Sequence, residues 1–166
     1  MEAQAVSPEE LYQKSQEAGA TGTVESAVSI LEQLVGRYPD YAPAHNDLGV
    51  YHQKLGNKDR AGNHLKNAVR LEPYNSTFKK NLADFCYIVQ GDVTEALKIY
   101  LDVLKSDPED IEVLLAAGHI SSAVKRPQNA EIFYSRVLEI EPWNLQASEQ
   151  LEQLKKELQG NSAARN

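Results

Sequence analysis

Apolar positions return along this chain on a fixed beat. Alanines stand at Ala27, Ala61, Ala96 and Ala130; four residues on come Leu31, Leu65, Tyr100 and Tyr134, and three further on Leu34, Ala68, Val103 and Val137. Steps of four and three trace one face of a helix, so each run predicts an amphipathic helix with a buried stripe. Twelve residues past each alanine stands a proline, at Pro39, Pro73, Pro108 and Pro142, spaced by 34, 35 and 34 residues. A fixed period of that size marks structural repeats, and the run before each proline is the second helix of its unit.

Upstream of each alanine another helical stretch carries one small residue: Ser15, Gly49, Ala83 or Gly118. Such a notch lets a second helix cross closely, and a bulky side chain in it would cost roughly 1–3 kcal/mol of overpacking. Between the two stretches "TGT", "LGN" and "QGD" are turn signals, where glycine can take the left-handed conformation that ends a helix. Asp92 with Glu95 reads as a capping pair, and Pro127 suits a first helical turn in the fourth unit, which lacks the glycine. Each unit therefore reads as a helical hairpin. After Trp143, "LQASEQLEQLKKELQ" places Ala147, Leu151, Leu154 and Leu158 on one stripe. That stripe predicts a polar-backed capping helix, which a stack of repeats needs at its end. It is too short to stand alone as a coiled-coil seam. The closing "GNSAARN" reads as a frayed tail or the start of a linker.

The second unit sets His45, Leu48, Gly49, His52, Ala61, Leu65 and Pro73 on the pattern W-x2-L-G-x2-Y, A-x3-F, P. The fourth sets Leu114, Ala117, Gly118, Ser121, Ala130, Tyr134 and Pro142 on it, and the first Leu11, Ser15, Ala18, Ala27, Leu31 and Pro39. The third has Leu82, Ala83, Cys86, Ala96, Tyr100 and Pro108, with one extra residue before Gly91. On these residues nearly the whole chain resembles the tetratricopeptide repeat (TPR) family. The resemblance implies an all-α, right-handed superhelical solenoid of four TPR hairpins with a C-terminal capping helix. Its segments would be an N-terminal extension over 1–7, repeats over 8–41, 42–75, 76–110 and 111–144, the capping helix over 145–159 and a polar tail over 160–166.

Charge narrows the partners. The 166 residues hold 17 bases and 24 acids, a net −7, and an anionic surface repels phosphate backbones, so nucleic acid is not expected. Hairpin by hairpin the balance alternates. There are two bases against six acids over 8–41, five against three over 42–75, and four against seven over 76–110. The middle band, with Lys54, Lys58, Arg60, Lys66 and Arg70, would steer association, partly from outward-facing second helices. Lone Cys86 has no partner for an internal disulfide, and "MEAQAVSPEE" has neither a basic start nor an apolar core. No apolar run approaches spanning length, so no membrane partner is expected, and a reducing cytoplasmic location is.

Chemistry finds little footing in the sequence. His45 and His52 stand where the family packs a Trp and a Tyr, seven residues apart along one face, and are expected to fill space between helices. A zinc site would want His at i and i+4 or cysteine partners, with a third ligand, and no spacing predicts one. No nucleophile elbow and no phosphate-cradling loop is present. "DPEDIE", at Asp107 to Glu112, resembles a solvated helix start. No catalytic residue, cofactor or metal is assigned.

Recognition remains. Stacked hairpins line their concave face with first helices, the usual ligand surface of such solenoids. The resemblance implies that Tyr12 and Gln16, with Gln13 beside them, face inward from the first unit, and Asn46, Asp47, Val50, Gln53 and Lys54 from the second. From the third it implies Lys80, Asn81, Asp84 and Tyr87 beside Thr77, and from the fourth Leu115, His119 and Ser122 beside Glu112. Amides, lysines, tyrosines and short aliphatics suit a peptide main chain with apolar side chains between polar contacts. Chaperone-binding members clamp a terminal carboxylate with cations, but the places here carry Tyr12, Gln16, Asp47, Thr77 and Asn81. One unit on they carry Asn46, Val50, Asn81, Glu112 and Ala116, and neither frame supplies the charge. The asparagine ladder of the O-linked N-acetylglucosamine transferase arm is also broken, with Gln13, Asp47 and Ala116 beside Asn81. The reading is a non-catalytic adaptor or scaffold that binds a peptide or helical segment of a partner protein. Two alternatives stand beside it: a substrate-recruiting arm of a larger enzyme such as a glycosyl- or methyltransferase, and self-association through the terminal repeats.

Overall fold

The computed structural model describes residues 6–163, with side chains described through residue 159. Among the described residues there are nine helices and no strand: α1 Pro8–Thr21, α2 Val24–Arg37, α3 Ala42–Lys54, α4 Lys58–Leu71, α5 Ser76–Ile88, α6 Val93–Ser106, α7 Ile111–Ala123, α8 Pro127–Ile140 and α9 Leu145–Ala163. The chain forms two compact units, one through Gly91 and one from Asp92. None of the described helices is long and apolar enough to cross a membrane.

Local chemistry sets the helix starts. Ser7 accepts from the Glu10 N–H at 3.2 Å while the Glu10 carboxylate accepts from the Ser7 N–H at 3.3 Å, a reciprocal cap that opens α1 with Pro8 in its first turn. Thus residues 6 and 7 of the expected N-terminal extension belong to the fold. The Val6 carbonyl also takes the Tyr38 hydroxyl at 3.2 Å, and residues 1–5 lie outside the described residues. Asn75, Asp92 and Asp110 cap α5, α6 and α7 through the N–H groups of Phe78, Glu95 and Val113.

The turns correct one expectation. Gly56 and Gly91 take positive φ, 77° and 68°, but Gly22 sits at φ −118°, outside the left-handed region, and a Cβ on it would lie 2.9 Å from the Ala18 carbonyl oxygen. In the glycine-less turn Lys125 holds the left-handed conformation itself, at φ 57°. A second correction concerns the end of the chain. The α9 ladder runs through Gly160 and Asn161 to Ala163, where a polar tail was expected, because each further residue adds one hydrogen bond to a helix already nucleated. Residues 164–166 lie outside the described residues.

Packing follows the periodicity. Ala27, Ala61, Ala96 and Ala130 are fully buried, as are the large residues four positions on. In the first unit Leu11, Val28, Leu31, Leu34, Ala44 and Leu48 form one core, with Ala42, Ala68 and Phe78 forming a smaller one. In the second, Leu114, Tyr134 and Val137 pack with Ala147, Leu151 and Leu154 of α9, which covers this core as a cap. The notches are tight. A Cβ on Gly49 would lie 2.5 Å from Leu65 Cγ and 3.1 Å from the Leu65 backbone nitrogen, and one on Gly118 2.6 Å from Tyr134 Cε1.

Where α3 crosses α4, His45 and His52 are buried, and His64 of α4 joins them. His45 Nε2–H donates to the Pro39 carbonyl at 2.8 Å, so its bare Nδ1 accepts from His64 Nδ1–H at 3.0 Å. The His52 ring stacks on His64 with centroids 5.6 Å apart. Burial, with the charges of its imidazole neighbours and Arg60 adding to it, holds His64 down at about 4. Burial and then Arg60 also lower His52, outweighing Glu32 3.9 Å away, so that contact is no ion pair at neutral pH. Instead Glu32 accepts from Arg60 at 3.0 Å. His52 Nε2 is the one buried side-chain nitrogen or oxygen without a hydrogen-bond partner among the described residues.

Two outcomes follow for stability. Gly49→Ala should lower unfolding free energy in urea by about 1–3 kcal/mol through the clash with Leu65. The control Gly36→Ala, in a helix with nothing within 4 Å of the new Cβ, should raise it by up to about 1 kcal/mol. An equal response at both sites would remove the packing role of Gly49. The histidines set an acid limb. The unfolded chain takes up protons near pH 6.5 and the folded His64 only near 4. The His64 contribution is therefore complete above pH 6.5 and lost as pH falls toward 4, on the order of 3 kcal/mol. Urea midpoints at pH 7, 5.5 and 4 should fall more steeply for the native chain than for His64→Asn. Parallel curves would exclude the cluster as their source.

Candidate functional site

Helix α3 has two occupied sides. His45, Leu48, Gly49 and His52 are spent on packing, which leaves Asn46, Asp47, Val50, Tyr51 and Lys54 to the neighbouring first helices and to solvent. Adjacent residues on a helix point roughly 100° apart, so Asn46 can reach α5 while Asp47 reaches α1. Asn46 is buried and its Oδ1 accepts from Asn81 Nδ2 of α5 at 2.8 Å. Its own amide donates to Asp47 Oδ1 at 3.1 Å. The other Asp47 oxygen accepts from α1 twice, from the Tyr12 hydroxyl at 2.9 Å and from Gln16 Nε2 at 2.6 Å. One polar chain thus runs from α5 through α3 to α1 and ends on a carboxylate.

Electrostatics keep the Tyr12 phenol of that chain protonated. Burial first, then the Asp47 charge and its hydrogen bond, raise the Tyr12 phenol far above its ordinary value, so Tyr12 remains a donor. Burial and then Asp47 raise Tyr51, while burial and then Glu9 and Glu72 raise Tyr41. These tyrosines gather at the α1–α3 seam. The Tyr12 and Tyr41 rings lie 5.5 Å apart, and the Tyr51 hydroxyl occupies the space that a Cβ on Gly19 of α1 would need. Lys54 Nζ sits over the Tyr51 ring, 5.6 Å from its centroid.

Of the residues expected in a groove, the first unit brings together Tyr12, Gln16, Asn46, Asp47 and Asn81. Val50 and Gln53 are half-buried on α3 and Lys54 is exposed; Lys80, Asp84 and Tyr87 are half-buried on α5. In the second unit Leu115, His119 and Ser122 lie on α7. Leu115 packs against the core there, and His119 has both ring nitrogens engaged. Its Nδ1 meets the Tyr134 hydroxyl at 2.9 Å and its Nε2 the Gln146 amide at 2.8 Å. Burial pushes the Tyr134 phenol up to about 12 and lowers His119. Sequence reasoning passed over Tyr51, although it follows Asp47 by one helical turn, the spacing that puts two residues on one face. It also missed His64 as a partner of His45 and His52. Lys58 and Lys66 of the basic band rim a cleft of about 410 Å³ floored by Gly62, Phe85 and Val89. Among the described residues no group of three or more His, Cys, Asp and Glu is placed to hold a metal ion.

Comparison with known proteins bears on these helices. The profile of the tetratricopeptide repeat family matches residues 55–120. No curated protein sequence matches the chain. Among solved structures, a tetratricopeptide repeat protein of Parabacteroides merdae superposes with a TM-score of 0.81 at 24% identity, over 90% of this chain and 60% of that protein's length. PilF of Pseudomonas aeruginosa superposes with a TM-score of 0.78 at 21% identity, over 95% of this chain and 72% of that one. The first tetratricopeptide repeat domain of Spaghetti, bound to an HSP90 peptide, gives 0.62 at 23% identity, over 70% of this chain and 92% of that one. At such identities the likeness is one of all-α fold.

The polar chain also carries stability. Asn46→Ala strands the Asn81 amide and removes one donor from Asp47, so urea denaturation should show a loss of about 1–3 kcal/mol. A double-mutant cycle with Asn81→Ala should recover part of it, and strictly additive losses would show that the two side chains do not communicate.

Proposed function

We propose that the chain, whose residues 55–120 match the tetratricopeptide repeat family, is a non-catalytic protein-interaction module that holds an extended segment of a partner against the first helices of the first unit. The observation that carries this reading is the polar chain from Asn81 through Asn46 and Asp47 to Tyr12 and Gln16. It orders side chains of α1, α3 and α5 before any ligand arrives, which lowers the entropic cost of binding. On the same helices, half-buried Gln53 of α3 and Lys80 and Tyr87 of α5 bring polar groups and an aromatic ring suited to a main chain and its side chains. The Spaghetti domain with its HSP90 peptide supports peptide capture on such a fold. The partner here differs from a terminal carboxylate, since Asp47 would repel one.

Panning a random 12-residue peptide library on phage against the chain tests the reading. Enriched peptides should bind Lys80→Ala/Tyr87→Ala at least about tenfold more weakly, roughly 1.4 kcal/mol, with helicity and melting unchanged. Equal binding to both proteins, or no enrichment over a blank surface, would overturn it.

A further inference from the structure

We propose that the α1–α3 seam is a receptor for one basic side chain of the bound segment, with the Asp47 carboxylate and the Tyr51 ring face taking its ammonium or guanidinium group. This rests on the groove reading above and adds the chemistry of the ligand.

The charge of Asp47 is oriented but not neutralised. All three groups that donate to it, from Tyr12, Gln16 and Asn46, are uncharged, and Asp47 makes no ion pair among the described residues. Neutral donors hold a carboxylate in place and leave its full negative charge. A half-buried anion in that condition is the partner a cation seeks, and a charge-assisted hydrogen bond to it is about twice as strong as a neutral one. Two further carboxylates, Glu9 and Glu72, act on Tyr41 at the same seam.

The second observation is independent of the first. An ammonium already lies over Tyr51, supplied by exposed Lys54 one turn along the same helix. Electron-rich ring faces attract cations, and an exposed lysine is held there loosely. Lys54 therefore occupies the position that a ligand's basic group would take, and acts as a competitor that a well-fitted lysine or arginine displaces. The opposite ligand, a terminal or side-chain carboxylate, would meet Asp47 as a like charge.

Synthetic heptapeptide pools with Lys, Arg, Gln or Glu at the centre and degenerate flanks, titrated against the full chain by fluorescence anisotropy, test the proposal. The Lys and Arg pools should bind at least about tenfold tighter than the Glu pool, and the preference should weaken as salt rises. Asp47→Asn, which keeps one acceptor oxygen for Tyr12 and Gln16 but carries no charge, should bring the Lys- and Arg-pool affinities to within about twofold of the Glu pool. Lys54→Gln, a change at an exposed position, should strengthen Lys-pool binding by about two- to fivefold by removing the competitor. Pools that bind alike regardless of the central residue would overturn the basic-side-chain receptor and leave the groove reading intact. So would a preference that survives in Asp47→Asn, or unchanged affinity in Lys54→Gln. Binding by none of the pools would overturn the groove reading and this proposal with it.

Discussion

No room is left for a Cβ where α3 meets α4 or where α7 meets α8. The close crossings at Gly49 and Gly118 let Leu65 and Tyr134 seat directly on helix backbone, and the alanines at 27, 61, 96 and 130 are fully buried in turn. A short interhelical distance makes dispersion contacts dense and leaves little slack, since interiors this tightly packed answer even one added methylene. The α3–α4 pair and the α7–α8 pair are therefore each held in one geometry. That rigidity makes the outer faces of the first helices dependable as places for function.

The polar side of α3 is a consequence of its packed side. Once His45, Leu48, Gly49 and His52 are committed to the crossing, helical geometry sends Asn46 toward α5 and Asp47 toward α1. A buried amide would be costly alone, but here it donates to Asp47 and accepts from Asn81, so the burial of Asn46 is compensated within the unit. The network leaves one charge unbalanced, that of Asp47, and it does so at the seam where the tyrosines collect.

The histidines show the same economy with different chemistry. Imidazoles at positions where the family pattern has indole and phenol can pack flat on one another, and they trade hydrogen bonds as well. Burial holds His52 and His64 below the ordinary imidazole range, which ties the stability of this hairpin to acidity in a way an apolar filling would not. In the second unit His119 bridges Tyr134 and Gln146 across three helices, so a residue legible as groove lining is also part of the packing.

Periodicity alone determined that the chain is all helical, which face of each second helix is buried, and where the notches fall. Those are local properties: a helix repeats every 3.6 residues, and a run of small and large apolar side chains on that period can be buried in only one way. Caps at Asp92 and a helix start at Pro127 were legible for the same reason. Only the tertiary structure decided that Asp47 gathers three donors, that Tyr51 carries a cation, that His64 completes a trio, and that Lys125 bears the left-handed turn. The contacts that build the polar chain from one first helix to the next join residues 31 to 35 positions apart. Whether two such side chains meet depends on the spacing and angle between helices, which all the packing sets together and no single stretch of sequence encodes.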